Sequence, residues 1–318
     1  MRNVRLSSIK DACSIFSNGE DVLVAGKHLW LFRADGSFVA KFATIRLPMK
    51  AIFLPNRTVL VDGYGDKAYH HIALASGEIL WSSNKKGRRM MESSRFAVSP
   101  DGMTIYDVCY IQNKSMQIDR ICPKNKSHEM FMIDECLRVT EDIFCDNAGN
   151  LCALQTHLII DPDDVYSEKK PPIRQHGILS ISFKNGTAVP HWISQWQSRN
   201  GDFSHRFARG CDGIHILYED LSVLDMKNQI IIQLISPEDA AQLPKDGFTW
   251  KYDYERKLLI ISFVSSLYNY VIDCDKKKIV AKYGRCDPSV GYQGCLIGNE
   301  FWMGTAGGIV KRSFPNID

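Results

Sequence analysis

The sequence has 318 residues, of which 45% are hydrophobic, so it can bury a large core in one repetitive domain or in two smaller domains. Its 39 Lys and Arg against 36 Asp and Glu leave a formal charge of +3, which is too small and too dispersed to predict a nucleic-acid or membrane partner. No apolar stretch approaches the roughly 20 residues that span a bilayer, and residues 1–10 lack the apolar core of a signal peptide. We therefore expect a cytoplasmic protein.

Ten cysteines are scattered singly along the chain, with no C-x-x-C pair and no Cys/His group at metal-ligand spacing. A free cysteine behaves as a small buried hydrophobic residue. We interpret them as reduced core thiols, and we predict neither a metal site nor a cofactor.

Short strand-like runs separated by tight turns follow one another along the chain. One class of turn, assigned between the first and second strands of a repeating unit, occurs at residues 17–21, 55–57, 99–102, 146–150, 211–213, 254–257 and 298–300. A second class, assigned between third and fourth strands, precedes strand-like runs at residues 38–42, 79–81, 129–133, 188–193, 230–235 and 279–283. Both series recur at roughly 40 to 50 residues, the period of a four-stranded propeller blade.

Two irregularities in the repeat are informative. A polar, proline-containing insertion at about residues 161–173 widens the fourth unit. The last unit ends after its third strand, residues 309–314, so we expect residues 2–8 to supply its fourth strand and close the ring, which leaves no long sheet edge unpaired. The sequence thus predicts a single domain, residues 1–318, that is an all-β seven-bladed β-propeller of four-stranded antiparallel blades. A ring of six or eight blades stays an alternative, because one degenerate unit is easily miscounted.

Two segments resemble the superfamily of WD40-like and quinoprotein-like seven-bladed propellers. Residues 72–81, Ile-Ala-Leu-Ala-Ser-Gly-Glu-Ile-Leu-Trp, resemble the quinoprotein repeat, and Ser99-Pro100-Asp101-Gly102 is similar to the first turn of many WD40-like blades. The resemblance implies the fold. The chain lacks a Gly-His to Trp-Asp signature, and the cofactor-binding residues of quinoprotein dehydrogenases do not map onto it, so that activity is not implied.

The candidate binding residues are mainly cations in connections between units. Lys85, Lys86, Arg88 and Arg89 surround a glycine between the second and third units, where they form either a phosphate or acidic-partner site or a solvated loop. Comparable connections hold Arg46, Arg138, Arg199 and Arg285. If these connections share one rim of the propeller, its arginines favour an acidic protein surface, phosphate or carboxylate as ligand.

A second candidate combines aromatic and charged residues just after the fourth unit's last strand. Trp196 and Arg199 have the composition of an interface hot spot, whereas Trp192 falls within a fourth strand and is predicted to be core.

The chain has no G-x-S-x-G, P-loop, G-x-G-x-x-G or H-E-x-x-H motif. Adjacent His70 and His71 would point to opposite faces of a strand and so could not readily share an ion. We therefore favour a monomeric, non-catalytic recognition scaffold that binds another protein through its rim loops. The alternatives are a propeller hydrolase or lactonase-like enzyme with a channel metal, or a module that binds a small ligand or carbohydrate.

Overall fold

A computed structural model gives the architecture, which is nearly all β with one four-residue helix in the part of the chain it describes. The structure describes residues 9, 12, 14–54, 56–63, 65, 68–84, 96–111, 115–122, 124, 127–133, 142–146, 148–159, 173–198, 206–210, 213–217, 221–225, 230–244, 248–253, 256–263, 266–284, 294–305 and 308–315. Within these ranges, no helix is long and apolar enough to cross a membrane.

The strands of the described residues fall into seven successive groups in chain order, which we call units. The first unit contains β1 (Ser14–Ser17), β2 (Asp21–Ala25), β3 (Leu29–Arg33) and β4 (Phe38–Phe42). The second contains β5 (Pro48–Leu54), β6 (Thr58–Gly63), β7 (Ala68–Ala73) and β8 (Glu78–Asn84). The third contains β9 (Phe96–Val98), β10 (Ile105–Ile111), β11 (Ser115–Cys122) and β12 (Ser127–Ile133).

The remaining units follow the same order along the chain. The fourth contains β13 (Asp142–Cys145), β14 (Leu151–Ile159), β15 (Ile173–Lys184) and β16 (Thr187–Ser198). The fifth contains β17 (Arg206–Gly210), β18 (Gly213–Leu217), β19 (Ser222–Asp225) and β20 (Ile230–Gln233), and α1 (Pro237–Ala240) follows it. The sixth contains β21 (Phe248–Asp253), β22 (Leu258–Phe263), β23 (Tyr268–Asp273) and β24 (Lys278–Gly284). The seventh contains β25 (Gly294–Ile297), β26 (Glu300–Thr305) and β27 (Gly308–Ser313).

Within each unit, consecutive strands pair antiparallel, as the sequence predicts. The six predicted fourth strands lie in β4, β8, β12, β16, β20 and β24, although the fifth of them ends at Gln233 rather than at residue 235. The third and fourth units share one eight-stranded sheet, because β12 and β16 pair in parallel through Met132 with Thr187 and Ile133 with Ala188. The repeat did not predict this junction.

The apolar core lies between neighbouring units. Val59 and Val61 of the second unit pack with Leu31 of the first, and Ile261 of the sixth packs with Val223 of the fifth. Middle strands such as β6 and β22 are buried at every position because a sheet covers each of their faces. This burial explains their continuous apolar runs in the sequence.

The first and last units also share a core. Trp302 of β26 has no exposed surface and packs in one cluster with Ile9, Ala12 and Ile15, which lie before or within β1. The backbones are close here, since a Cβ added to Gly304 would lie 2.1 Å from the carbonyl oxygen of Ala12. The first and last units therefore lie side by side. The predicted fourth strand at residues 2–8 falls outside the described residues.

The fourth unit is longer than the others. Its strands β14, β15 and β16 have 9, 12 and 12 residues, so the longest extend about 40 Å at the usual rise per residue. Residues 160–172, which hold most of the predicted insertion, lie outside the described residues, and Ile173 is already part of β15. Two paired strands, β14 and β15, therefore flank the segment that holds most of the predicted insertion.

We expect Trp302→Ala to lower the free energy of unfolding by about 3 to 5 kcal/mol, because it opens a cavity between the first and last units. Urea unfolding measures the change. Trp192→Ala, which removes an indole that is 44% exposed, is the matched control and should cost less. Equal costs for the two variants would contradict the packing described for Trp302.

Candidate functional site

Two kinds of connection meet at one end of the sheets. Because neighbouring strands in a unit are antiparallel, the connection from second to third strand lies at the same end as the connection from a fourth strand to the next unit. We call this end the rim. Arg46 belongs to the connection between β4 and β5, and its carbonyl oxygen accepts a hydrogen bond of 2.8 Å from the amide of Gly65, between β6 and β7. The two connections therefore touch.

Arg46 and Leu47 form an exposed pair at this contact. Leu47 has a φ of 45°, a left-handed conformation that is uncommon for a leucine and is retained only where the surroundings enforce it. Gly65 permits the close approach, since a Cβ there would lie 2.9 Å from Cβ of Arg46. The fold thus presents a cation and an apolar side chain together on a fixed backbone.

The other predicted site residues lie outside the described residues or have only their backbone described. Outside the described residues lie Lys85, Lys86, Arg88, Arg89, Arg138, Arg199 and Arg285. For Trp196 only the backbone is described, and it pairs with His176 in the β15–β16 ladder. A shared arginine-rich rim therefore stays a prediction for every member except Arg46, whose position at the rim the structure describes.

Sequence reasoning missed a second exposed apolar pair at the rim. Leu267 and Tyr268 lie where β22 connects to β23, and both are exposed. The backbone amide of Tyr268 donates to Oγ of Ser266 at 3.0 Å, which fixes the turn. The sequence signal was a pair of apolar residues directly after two serines, which are typical turn residues.

The structure corrects the prediction that Trp192 is a core residue. Its indole is 44% exposed on β16, an outer strand, and lies against Gly177 of β15. A Cβ at Gly177 would come 1.8 Å from Cζ3 of Trp192, so the glycine provides the space for the ring. β16 is the last strand of its unit, and its pairing with β12 is described only at Thr187 and Ala188, so no described strand pairs with it at Trp192.

Two charged side chains of the second and third units, half-buried Lys50 and buried Asp119, have defined partners. Nζ of Lys50 on β5 donates to the carbonyl oxygen of Phe96 at 3.1 Å and lies 5.1 Å from the centre of the Phe96 ring. On β11, Asp119 accepts a hydrogen bond from Gln117 and lies 3.2 Å from Nε2 of His128. Such partners are what allow charged side chains to be buried. The contact of Lys50 with Phe96 joins the second unit to the third, whereas the contacts of Asp119 lie within the third unit.

The two adjacent histidines each have a separate partner. Nδ1 of His70 lies 2.8 Å from Oγ of Ser82, and Nε2 of His71 lies 2.7 Å from Oγ1 of Thr58. Burial lowers the pKa of His71. Among the residues whose placement is described, no three His, Cys, Asp or Glu side chains come together as a metal site.

Three first strands come together around Lys251. This residue lies on β21, and its Nζ donates to the carbonyl oxygen of Ile15 on β1 and lies 5.5 Å from the centre of the Phe16 ring. Burial lowers the pKa of Lys251, and the nearby Cys295 of β25 opposes that shift. Burial raises the pKa of Cys295 in turn. The amine therefore links β21 of the sixth unit to β1 of the first.

Lys251 should make stability depend on pH. Its lowered pKa means that, below its ordinary value of 10.5, the unfolded chain binds more protons than the folded protein. The contribution of Lys251 to the free energy of unfolding should therefore rise as pH increases towards 10.5. Urea unfolding of wild type and Lys251→Met across this range isolates that contribution, with exposed Lys277→Met as control. A wild-type advantage that does not change with pH would contradict the assignment.

No protein-family model matches the chain, and no curated protein sequence matches it. Solved structures do. A hydrazine synthase of Kuenenia stuttgartiensis is 13% identical with a TM-score of 0.59, over 99% of this chain and 98% of that chain. A catalytically inactive virginiamycin B lyase from Staphylococcus aureus with quinupristin is 12% identical with a TM-score of 0.58, over 97% of this chain and 96% of that one.

A third similar structure is the β-propeller domain of Cps50 (Swd1) from Myceliophteria thermophila. It is 8% identical with a TM-score of 0.58, over 99% of this chain and all of that domain, 100%. At these identities the likeness shows the fold alone. Together with the successive antiparallel sheets, it shows that this chain has a β-propeller fold.

Proposed function

We propose that this chain is a non-catalytic recognition scaffold that binds another protein through its rim. The observation that carries the proposal is the Arg46–Leu47 pair, an exposed cation beside an exposed apolar side chain on a backbone that Gly65 holds in place. Rigid presentation lowers the entropy lost on binding. Leu267 and Tyr268 add apolar surface at the rim of the sixth unit.

The proposed partner carries an acidic surface. Arg46 is exposed, and the sequence places further cations in corresponding connections at Lys85, Lys86, Arg88, Arg89, Arg138, Arg199 and Arg285. A guanidinium recognises a carboxylate through two parallel hydrogen bonds. Several such contacts around a ring would orient an acidic partner, while the apolar residues would supply the buried area.

We also propose that the propeller has seven blades and is a closed ring. The seven described units, the core shared by Trp302 and Ile15, and the bond from Lys251 to Ile15 support this arrangement. Closure would fix the rim connections relative to one another, as recognition by several loops requires.

Charge reversal tests the binding proposal. Native mass spectrometry of protein purified gently from its own cells should show a stoichiometric protein partner with wild type, and Arg46→Glu combined with Arg88→Glu and Arg89→Glu should lose it. Lys276→Glu combined with Lys277→Glu and Lys278→Glu makes the same charge change at the opposite end of the sheets, at the turn between β23 and β24, and should retain the partner. Retention of the partner by the arginine variant, or a bound ion or small ligand without any protein, would contradict the proposal.

Removal of residues 2–8 tests closure. The predicted result is a free energy of unfolding lower by roughly 2 kcal/mol or more, since β27 would lose its proposed neighbouring strand. Removal of residues 316–318 is the control. An unchanged unfolding transition in the N-terminal variant would contradict closure by that strand.

A further inference from the structure

The fourth strands form the outer edges of the units, and they differ in the side chains they expose. The first and sixth units expose lysines there, Lys41 on β4 and Lys282 on β24. Each lysine lies beside an aromatic ring on the neighbouring strand, with Nζ 4.5 Å from the centre of Trp30 and 5.5 Å from that of Tyr270. A charged side chain on an edge strand prevents another chain from adding to the sheet.

Irregular pairing protects further edges. The register against the third strand shifts in β4, β8, β16 and β24, and such bulges disrupt an edge as a template for another strand. On β16, Pro190 also removes a backbone donor. The regular edge of β12 is covered in part by β16, through the parallel pairing at Met132 and Ile133. Each of these five fourth strands thus carries at least one protective feature.

The outer strand of the fifth unit has none of these features within the described residues. β20 reads Ile-Ile-Ile-Gln, with no charge and no proline, and its register with β19 is continuous from Ser222–Gln233 to Asp225–Ile230. No described strand pairs with its outer side. Ile230, Ile231 and Ile232 are 50%, 51% and 38% exposed, so isoleucines are exposed on both faces of the strand.

We propose that β20 accepts an extended, uncharged apolar segment of a partner protein as a fifth strand of this unit. Added strands gain affinity from main-chain hydrogen bonds and specificity from alternate side chains. Here Ile230 and Ile232 would contact alternate residues of the segment on one face, and Ile231 would contact those on the other. This edge is separate from the rim, so the inference does not depend on the proposed function.

The absence of charge on β20 and its small exposed apolar area favour this segment over a charged segment or a second copy of the chain. The edge carries no charged side chain, so a charged segment would lose solvation without gaining an ion pair. Three half-exposed isoleucines present apolar surface on the order of a few hundred Å². A stable dimer needs roughly 800 Å² from each partner, so a second copy of this chain would not be held by this edge alone. A short extended segment needs only the edge itself.

A synthetic peptide tests the inference. The probe is a fluorescein-labelled peptide of alternating valine and threonine with one lysine at each end for solubility. We expect saturable binding by fluorescence anisotropy at or below about 1 mM. Ile231→Lys should weaken binding about tenfold or more, because it restores the charge that protects other edges. Leu80→Lys on the bulged strand β8 is the matched control and should leave binding unchanged.

A backbone control separates strand addition from apolar adhesion. The same peptide with an N-methyl group on every residue between the two lysines lacks backbone donors on both edges and should not bind. Equal binding of the methylated peptide, an equal loss in Leu80→Lys, or no saturable binding would overturn the inference. A concentration-dependent dimer in analytical ultracentrifugation that Ile231→Lys abolishes would also overturn it, since the occupant would then be a second copy.

Discussion

Among the described residues, apolar side chains of one unit pack against those of the next along most of the chain, as Leu31 of the first unit does against Val59 and Val61 of the second. The sheets are consequently covered on two faces, and a single unit would expose one or both of them. The packing of Trp302 against Ile15 applies the same contact between the last unit and the first. The hydrophobic effect thus requires neighbouring units for the stability of each one.

This dependence also explains where the polar interior groups lie. Lys50 finds its acceptor on β9 of the next unit, and Lys251 finds its acceptor on β1, far away in sequence. A buried charge without such a partner would be costly, so these contacts disfavour any other order of units. Both lysines therefore have a hydrogen-bond acceptor on another unit.

Packing between sheets buries some side chains of the outermost strands, such as Phe42 and Tyr283, and leaves others exposed. Arg46 and Leu47 at the rim, and Ile230 to Ile232 on β20, lie where neither neighbouring sheet covers them. Their sequences are consequently free to serve recognition. Most outer strands nevertheless carry lysines, bulges or a covering strand, which shows that the fold also limits unwanted pairing.

The sequence by itself determined the strands, the turns and their order, because period-two patterns and turn residues act over a few neighbouring positions. Thus the predicted strands at residues 38–42 and 279–283 lie within β4 and β24. Only the tertiary structure decided that Trp192 is exposed, that β12 pairs with β16, and that Lys251 meets Ile15 across 236 positions. Those outcomes depend on which sheet faces another, and a local pattern carries no information about a neighbour that distant.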